Sequence, residues 1–270
     1  MLANVPPSHA VFQSEAYRKD RIPFDVMEKI RQTPTRLESD GRSIVVAAGA
    51  PQFPVWVWTA DFVDEEELGG LCRHLRHIFG VGRSASFVAK SFVAERIAAA
   101  FTVENGAQAR FMRLESYACP RVIPARNTAV MPAHPQRAER EALAECWCRF
   151  YADCFGTAPD HGDCLREADR FCDGRKSFVI RRGAVVAAMA AATRQTDGCE
   201  SITHAYTRPE YRGQGFAAAL AAHISRLILQ EGRTPLLYTD LDNPCSNRAY
   251  RNVGFVPRGR VTQVDLRWGR

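Results

Sequence analysis

Residues 203–219 read THAYTRPEYRGQGFAAA, a short strand that passes through a turn rich in Arg and Gly into a helix rich in Ala. A helix start gathers unsatisfied backbone N–H groups and the positive end of the helix dipole, so a turn of this kind suits a phosphorylated ligand. Gly213 and Gly215 keep side chains out of the way and Arg212 adds a fixed cation. The N–H groups of Gly213, Gln214, Gly215, Phe216 and Ala217 can then point at one anion.

Two ligands can be read from this turn. Gly213, Gly215 and Ala218 fit the G-x-G-x-x-A fingerprint of dinucleotide sites, with Asp240 as the ribose acid at the end of the next strand. Against that, Arg208, Pro209, Glu210, Tyr211 and Arg212 separate the strand from the first Gly. The 30 residues after Asp240 are also too few for the strand–helix units that a doubly wound sheet still needs.

The other reading starts at Arg212. Arg212-x-x-Gly215-x-Ala217, introduced by Pro209-Glu210-Tyr211, resembles the acyl-CoA signature R/Q-x-x-G-x-G/A of the GNAT superfamily of N-acetyltransferases. Residues 242–255, DNPCSNRAYRNVGF, are similar to that superfamily's closing segment, an Asn followed by a helix and a Y-x-x-x-G-F ending. The resemblance covers roughly residues 127–270. It implies an α/β (α+β) domain with a mixed central sheet flanked by helices, acetyl-CoA (acyl-CoA) as co-substrate and no metal. The implied reaction is direct attack by a small-molecule amine or a peptide in a ternary complex.

Site residues follow from the same resemblance. Ala205, Tyr206 and Thr207 match the strand whose exposed backbone pairs with the pantetheine arm, as a peptide adds to a sheet edge. Asn243 and Ser246 match positions that contact the pantetheine or adenosine part, with Asn247 an alternative cap for the helix that follows. Tyr250 matches the tyrosine general acid; a phenol of ordinary pKa, about 10, is protonated at neutral pH and can donate to a leaving thiolate. The general base is read as Glu200 or His204, four residues apart and so on one face of a regular strand. A non-catalytic acyl-CoA-binding or regulatory protein that keeps this loop is the alternative from another class.

Working outward, helices over 139–155 and 160–172, strands over 177–181 and 184–193, and a strand over 235–240 surround the turn, with a terminal strand pair in 255–268. Prolines at 120, 124, 132 and 135 mark a linker, which places a boundary near residue 126 between a 1–126 domain and a 127–270 domain. The first has strands over 44–48 and 55–59 and helices over 23–31 and 91–101, a second, smaller or degenerate α/β domain of GNAT type without a donor loop. Its nearest glycine-rich stretch is Gly80-Val81-Gly82-Arg83. Trp56 and Trp58 read as core, with lining of an acceptor cleft as the alternative.

Composition narrows the rest. A length of 270 residues accommodates two domains, and 46% hydrophobic with 24% charged residues is ordinary for a globular protein. The net charge of +6 comes from scattered Arg, a bacterial-like compositional habit rather than a nucleic-acid footprint. The longest apolar run, 184–192, is too short to span a membrane, and the N-terminus has no signal-peptide pattern, so a cytoplasmic protein is expected. Nine cysteines without a C-x-x-C read as reduced, packed thiols, and His161, Cys164 and Cys172 as a helix face rather than a metal site. Nothing in the sequence sets an oligomeric state.

Overall fold

A computed structural model describes residues 2–80, 84–124 and 130–268. In chain order its elements are β1 (Ala3–Asn4), α1 (Glu15–Lys19), α2 (Asp25–Ile30), β2 (Arg36–Ser39), β3 (Ile44–Ala48), β4 (Val55–Thr59), α3 (Glu65–Phe79), β5 (Ala85–Ala89), α4 (Ser91–Asn105) and β6 (Ala107–Ala118). They continue with α5 (Arg140–Phe155), α6 (His161–Asp173), β7 (Ser177–Arg182), β8 (Val185–Thr196), β9 (Cys199–Thr207), α7 (Phe216–Gln230), β10 (Thr234–Asp240), α8 (Pro244–Val253) and β11 (Val256–Trp268). Two compact units result. One comprises Met1–Ser116, Tyr238–Asp242 and Arg258–Arg270, the other Tyr117–Leu237 and Asn243–Pro257. The boundary expected near residue 126 lies outside the described residues, as do residues 81–83 of the glycine-rich stretch.

The first unit is a mixed sheet with helices on both faces. β2, β3 and β4 pair antiparallel, β4 and β5 parallel, and β5 and β11 antiparallel. β3 and β4 are buried along nearly their whole length, as strands covered on both sides must be. Val46 and Val57 pack with Leu71, Leu75, Ile97 and Phe101 of α3 and α4, while Val45, Trp56 and Trp58 pack with Tyr17, Phe24 and Met27. Trp56 and Trp58 are therefore core residues, the Trp58 ring N–H donating to Asp20 at 2.9 Å. α3 starts where Asp64 and Glu67 bond each other's backbone N–H groups as a capping box.

The second unit holds the turn. β7, β8 and β9 form an antiparallel meander, and β10 joins β9 in parallel. Leu143, Trp147, Cys164, Ala168 and Phe171 of α5 and α6 cover one face with Met189 and Tyr206; Leu220, Ile224 and Ile228 of α7 and Val253 of α8 cover the other with Ile202 and Leu237. Two expectations are corrected. The terminal strand pair is one long strand, β11. Cys148 and Cys164 are not reduced thiols but a disulfide joining α5 to α6, their Cα atoms 5.9 Å apart. The bond became possible because the two helices lie side by side, a pairing that cysteine spacing alone does not specify.

Among the described residues, no group of three or more His, Cys, Asp or Glu could hold a metal ion. No described helix is long and apolar enough to cross a membrane.

Candidate donor and catalytic site

β9 contains an extra residue. Thr203 pairs with Ala191 and Tyr206 with Met189, so three steps on β9 match two on β8, and His204 occupies this bulge with φ of 54°. In regular alternation His204 would share the side of Ile202, which packs under α7. Instead its ring lies 4.2 Å from that of Trp147 on α5. The bulge thus separates the two residues read as candidate bases. Glu200, only 6% exposed, stays in the regular part of β9, its carboxylate 2.7 Å from both Lys176 and Arg233. His204 Nδ1 lies 2.9 Å from Thr203 Oγ1, which in turn meets Thr193 Oγ1 at 2.7 Å.

Burial, with Arg194 beside it, pushes the His204 imidazole down to about 4, so the ring is neutral at neutral pH. The unfolded chain takes up this proton near 6.5 and the folded chain only near 4. The stability that the neutral ring contributes is therefore complete above the unfolded value and is lost as pH falls between the two. Urea unfolding should show a loss of roughly 2 kcal/mol between pH 7 and pH 4.5, most of it absent in His204→Asn, which tolerates the left-handed backbone. An equal loss in the variant would place the acid sensitivity elsewhere.

The ladder between β9 and β10 consists of three pairs, Cys199 with Thr234, Glu200 with Pro235 and Ser201 with Leu236. Ala205, Tyr206 and Thr207 lie beyond it, with their backbone directed to the β10 side free of that ladder. Tyr206 Oη and Thr207 Oγ1 are buried with no hydrogen-bond partner among the described residues.

The turn is anchored by Arg208, 7% exposed, whose Nε donates to Val186 O at 2.9 Å and whose guanidinium meets Glu145 at 2.7 Å. A short 3-10 helix, Pro209–Tyr211, follows. Gly213 and Gly215 then adopt φ of 76° and 80°. A Cβ at Gly213 would meet nothing within 4 Å, so glycine is required by the left-handed backbone and not by crowding. Gly215 is the N-cap of α7, and no side chain among the described residues caps the helix. Arg212 Nε donates to Thr207 O at 3.1 Å and its NH2 group lies 2.7 Å from Asp153. Gln214 is exposed, and Phe216 is buried under the helix start.

The closing segment is built by capping. Asn243 Oδ1 accepts from Ser246 N at 3.0 Å, so Asn243 and not Asn247 caps α8, with Pro244 in its first turn. Asn247 donates to Asn243 O at 2.8 Å and accepts from the Tyr117 hydroxyl at 2.9 Å. Asp240 accepts from Asp242 N at 2.9 Å, which is turn chemistry rather than a ribose site. Tyr250 is 7% exposed, its ring 5.9 Å from that of Phe255. Burial, with the Cys154 sulfur nearby, pushes its phenol up to about 12.

An uncapped helix start behind two left-handed glycines, a bulged strand that leaves its parallel neighbour after three pairs, and a buried tyrosine on the next helix all belong to the second unit. The chain has the GNAT fold. The FR47-like protein family model matches residues 179–263. A GCN5-related N-acetyltransferase from Sphaerobacter thermophilus superposes with a TM-score of 0.63 at 13% identity, over 98% of this chain and 94% of that one. One from Kribbella flavida gives 0.59 at 18% identity over 95% and 98%. A GNAT-family acetyltransferase from Colwellia psychrerythraea gives 0.57 at 9% identity over 99% and 100%. At these identities the likeness establishes the fold. No curated protein sequence matches the chain.

The helix expected over 139–155 is present as α5, but sequence reasoning gave none of its residues a place at the site. Trp147, Asp153 and Cys154 reach His204, Arg212 and Tyr250 respectively. Trp147 and Cys154 both lie on the apolar stripe of this helix, and of the two Trp147 is buried while Cys154 is exposed.

Proposed function

We propose that the protein is an acyl-CoA-dependent N-acyltransferase that uses acetyl-CoA and transfers the acyl group directly to an amine or peptide acceptor. The observation that carries this reading is the uncapped start of α7 behind left-handed Gly213 and Gly215, placed at the end of a strand that has left its neighbour. Residues 213–217 and Arg212 fit a diphosphate: backbone N–H groups, a helix dipole and a cation converge at two glycines. Ala205, Tyr206 and Thr207 would hold the pantetheine through backbone groups, and Asn243 and Ser246 would lie along its path. Bound acyl-CoA supplies an activated thioester.

The protein's own groups then act on protons and charge. A phenol at about 12 does not fully protonate a thiolate whose conjugate acid has an ordinary value near 8.5, since transfer would be uphill by about 5 kcal/mol. Tyr250 therefore serves as acid by donating a hydrogen bond to the departing sulfur. Of the two base candidates, Glu200 is held by two cations, whereas His204 is a neutral acceptor on the bulge. An imidazole near 4 cannot strip an alkylammonium of ordinary value about 10.4, so its part is to orient an amine that arrives deprotonated or loses its proton through water.

The donor residues all belong to the second unit, and the first is inferred to be the degenerate half without a loop. The reading carries a cytoplasmic location; the Cys148–Cys164 bond is the feature that argues the other way, because cytosolic thiols are kept reduced. Calorimetric titration with acetyl-CoA should show micromolar binding, weakened about tenfold in Arg212→Glu through loss of one charge-assisted contact and gain of repulsion. Unchanged affinity would remove the loop assignment. Free-thiol release with a panel of amines separates a transferase from a protein that only binds acyl-CoA, which should release nothing.

A further inference from the structure

Arg212 is held by α5. Its NH2 group lies 2.7 Å from Asp153 Oδ2, and its guanidinium carbon sits 5.9 Å from the centroid of the Tyr206 ring. Asp153 occupies the last turn of α5, which ends at Phe155 with Gly156 as a left-handed C-cap. A carboxylate there faces the negative end of the helix dipole and is locally disfavoured. The other nearby cations are taken by a different carboxylate: Glu145 pairs with Arg149 at 2.6 Å and with Arg208 at 2.7 Å. A residue that breaks a local rule while gripping the cation of a candidate site is where a function is expected.

We propose that Asp153 is a positioning residue of the donor site, a carboxylate that competes with the acyl-CoA diphosphate for Arg212 and holds donor affinity below what the loop alone would give. The inference rests on the donor reading of the turn. Both partners are about half exposed, 53% for Arg212 and 49% for Asp153, so their pair is weak and screened by salt. A diphosphate that also receives the backbone N–H groups of the turn outcompetes it. Asp153 therefore tunes affinity and does not block binding.

The test is calorimetric titration of Asp153→Asn with CoA and with pantetheine, which lacks the phosphates. The dissociation constant for CoA should fall roughly three- to fivefold, the range an exposed ion pair supplies, and that for pantetheine should stay the same. The difference should shrink at high salt, return to the wild-type value in Asp153→Glu, and vanish on an Arg212→Ala background. An unchanged or weaker CoA affinity in Asp153→Asn overturns the inference, as does equal tightening of both ligands. Wild-type protein that binds no CoA at all would instead overturn the donor reading itself.

Discussion

Gly254→Ala will destabilise the protein by about 2 to 5 kcal/mol, a large share of the stability of an ordinary domain. Gly254 has φ of 108°, and a Cβ there would lie 2.3 Å from Arg121 O and 3.3 Å from Ile123 N. Neither contact can relax easily. Ile123 N donates to Val253 O at 2.8 Å, which clamps the 121–123 backbone against the end of α8, while Gly254 N closes the helix onto Arg251 O at 3.0 Å. Two penalties add, left-handed backbone for a side-chain-bearing residue and overlap with main chain instead of a movable side chain. Since α8 also carries Tyr250, the acyl transfer proposed above should fall with stability. A change in urea midpoint equivalent to less than about 1 kcal/mol would show that the 121–123 segment gives way, and that the glycine of the Y-x-x-x-G-F ending is not required sterically.

Tyr250→Phe should lower kcat on the order of 10- to 100-fold and leave the dissociation constant for CoA within about twofold. The size follows from the role: a hydrogen bond to a developing charge contributes about 1.5 to 3 kcal/mol, less than a completed proton transfer would. The phenol sits in a buried place where removal of one oxygen changes packing little. Its raised value fixes the pH signature. A group at about 12 keeps its proton throughout the working range, so the wild-type profile should have no alkaline limb from Tyr250 below about pH 11. A limb near pH 8 to 9 that disappears in the variant would mean that the phenol ionises during turnover and acts as a full proton donor.

What could be read in advance was what local chemistry announces. Gly213 and Gly215 announce a turn clear of side chains, the Ala-rich stretch after them a helix, and residues 44–48 and 55–59 strands; the left-handed backbone of the glycines and the burial of both strand faces come from the structure. The sequence reading puts the cap of α8 at Asn247, and the geometry puts it at Asn243. The bulge at His204 could not be read, because an inserted residue leaves no mark in a period of two; only pairing with β8 reveals that the register slips between Thr203 and Tyr206. The same limit hid β2 and β5, short strands whose partners supply most of their order, and the Cys148–Cys164 bond, which depends on two helices meeting. Asp153 was invisible for the simplest reason: its partner is 59 residues away in the chain.

The partition of the chain carries a consequence for inheritance. The polypeptide passes from one unit to the other at Tyr117, Tyr238, Asn243 and Arg258, so neither half is a continuous stretch. Val261, Val264 and Leu266 complete the cores of the first unit. A gene severed near residue 126 would yield an N-terminal fragment without those side chains. The two units therefore cannot be separated by a single cut in the chain, and a truncation that removes residues 258–268 would damage the unit that also holds β2 to β5.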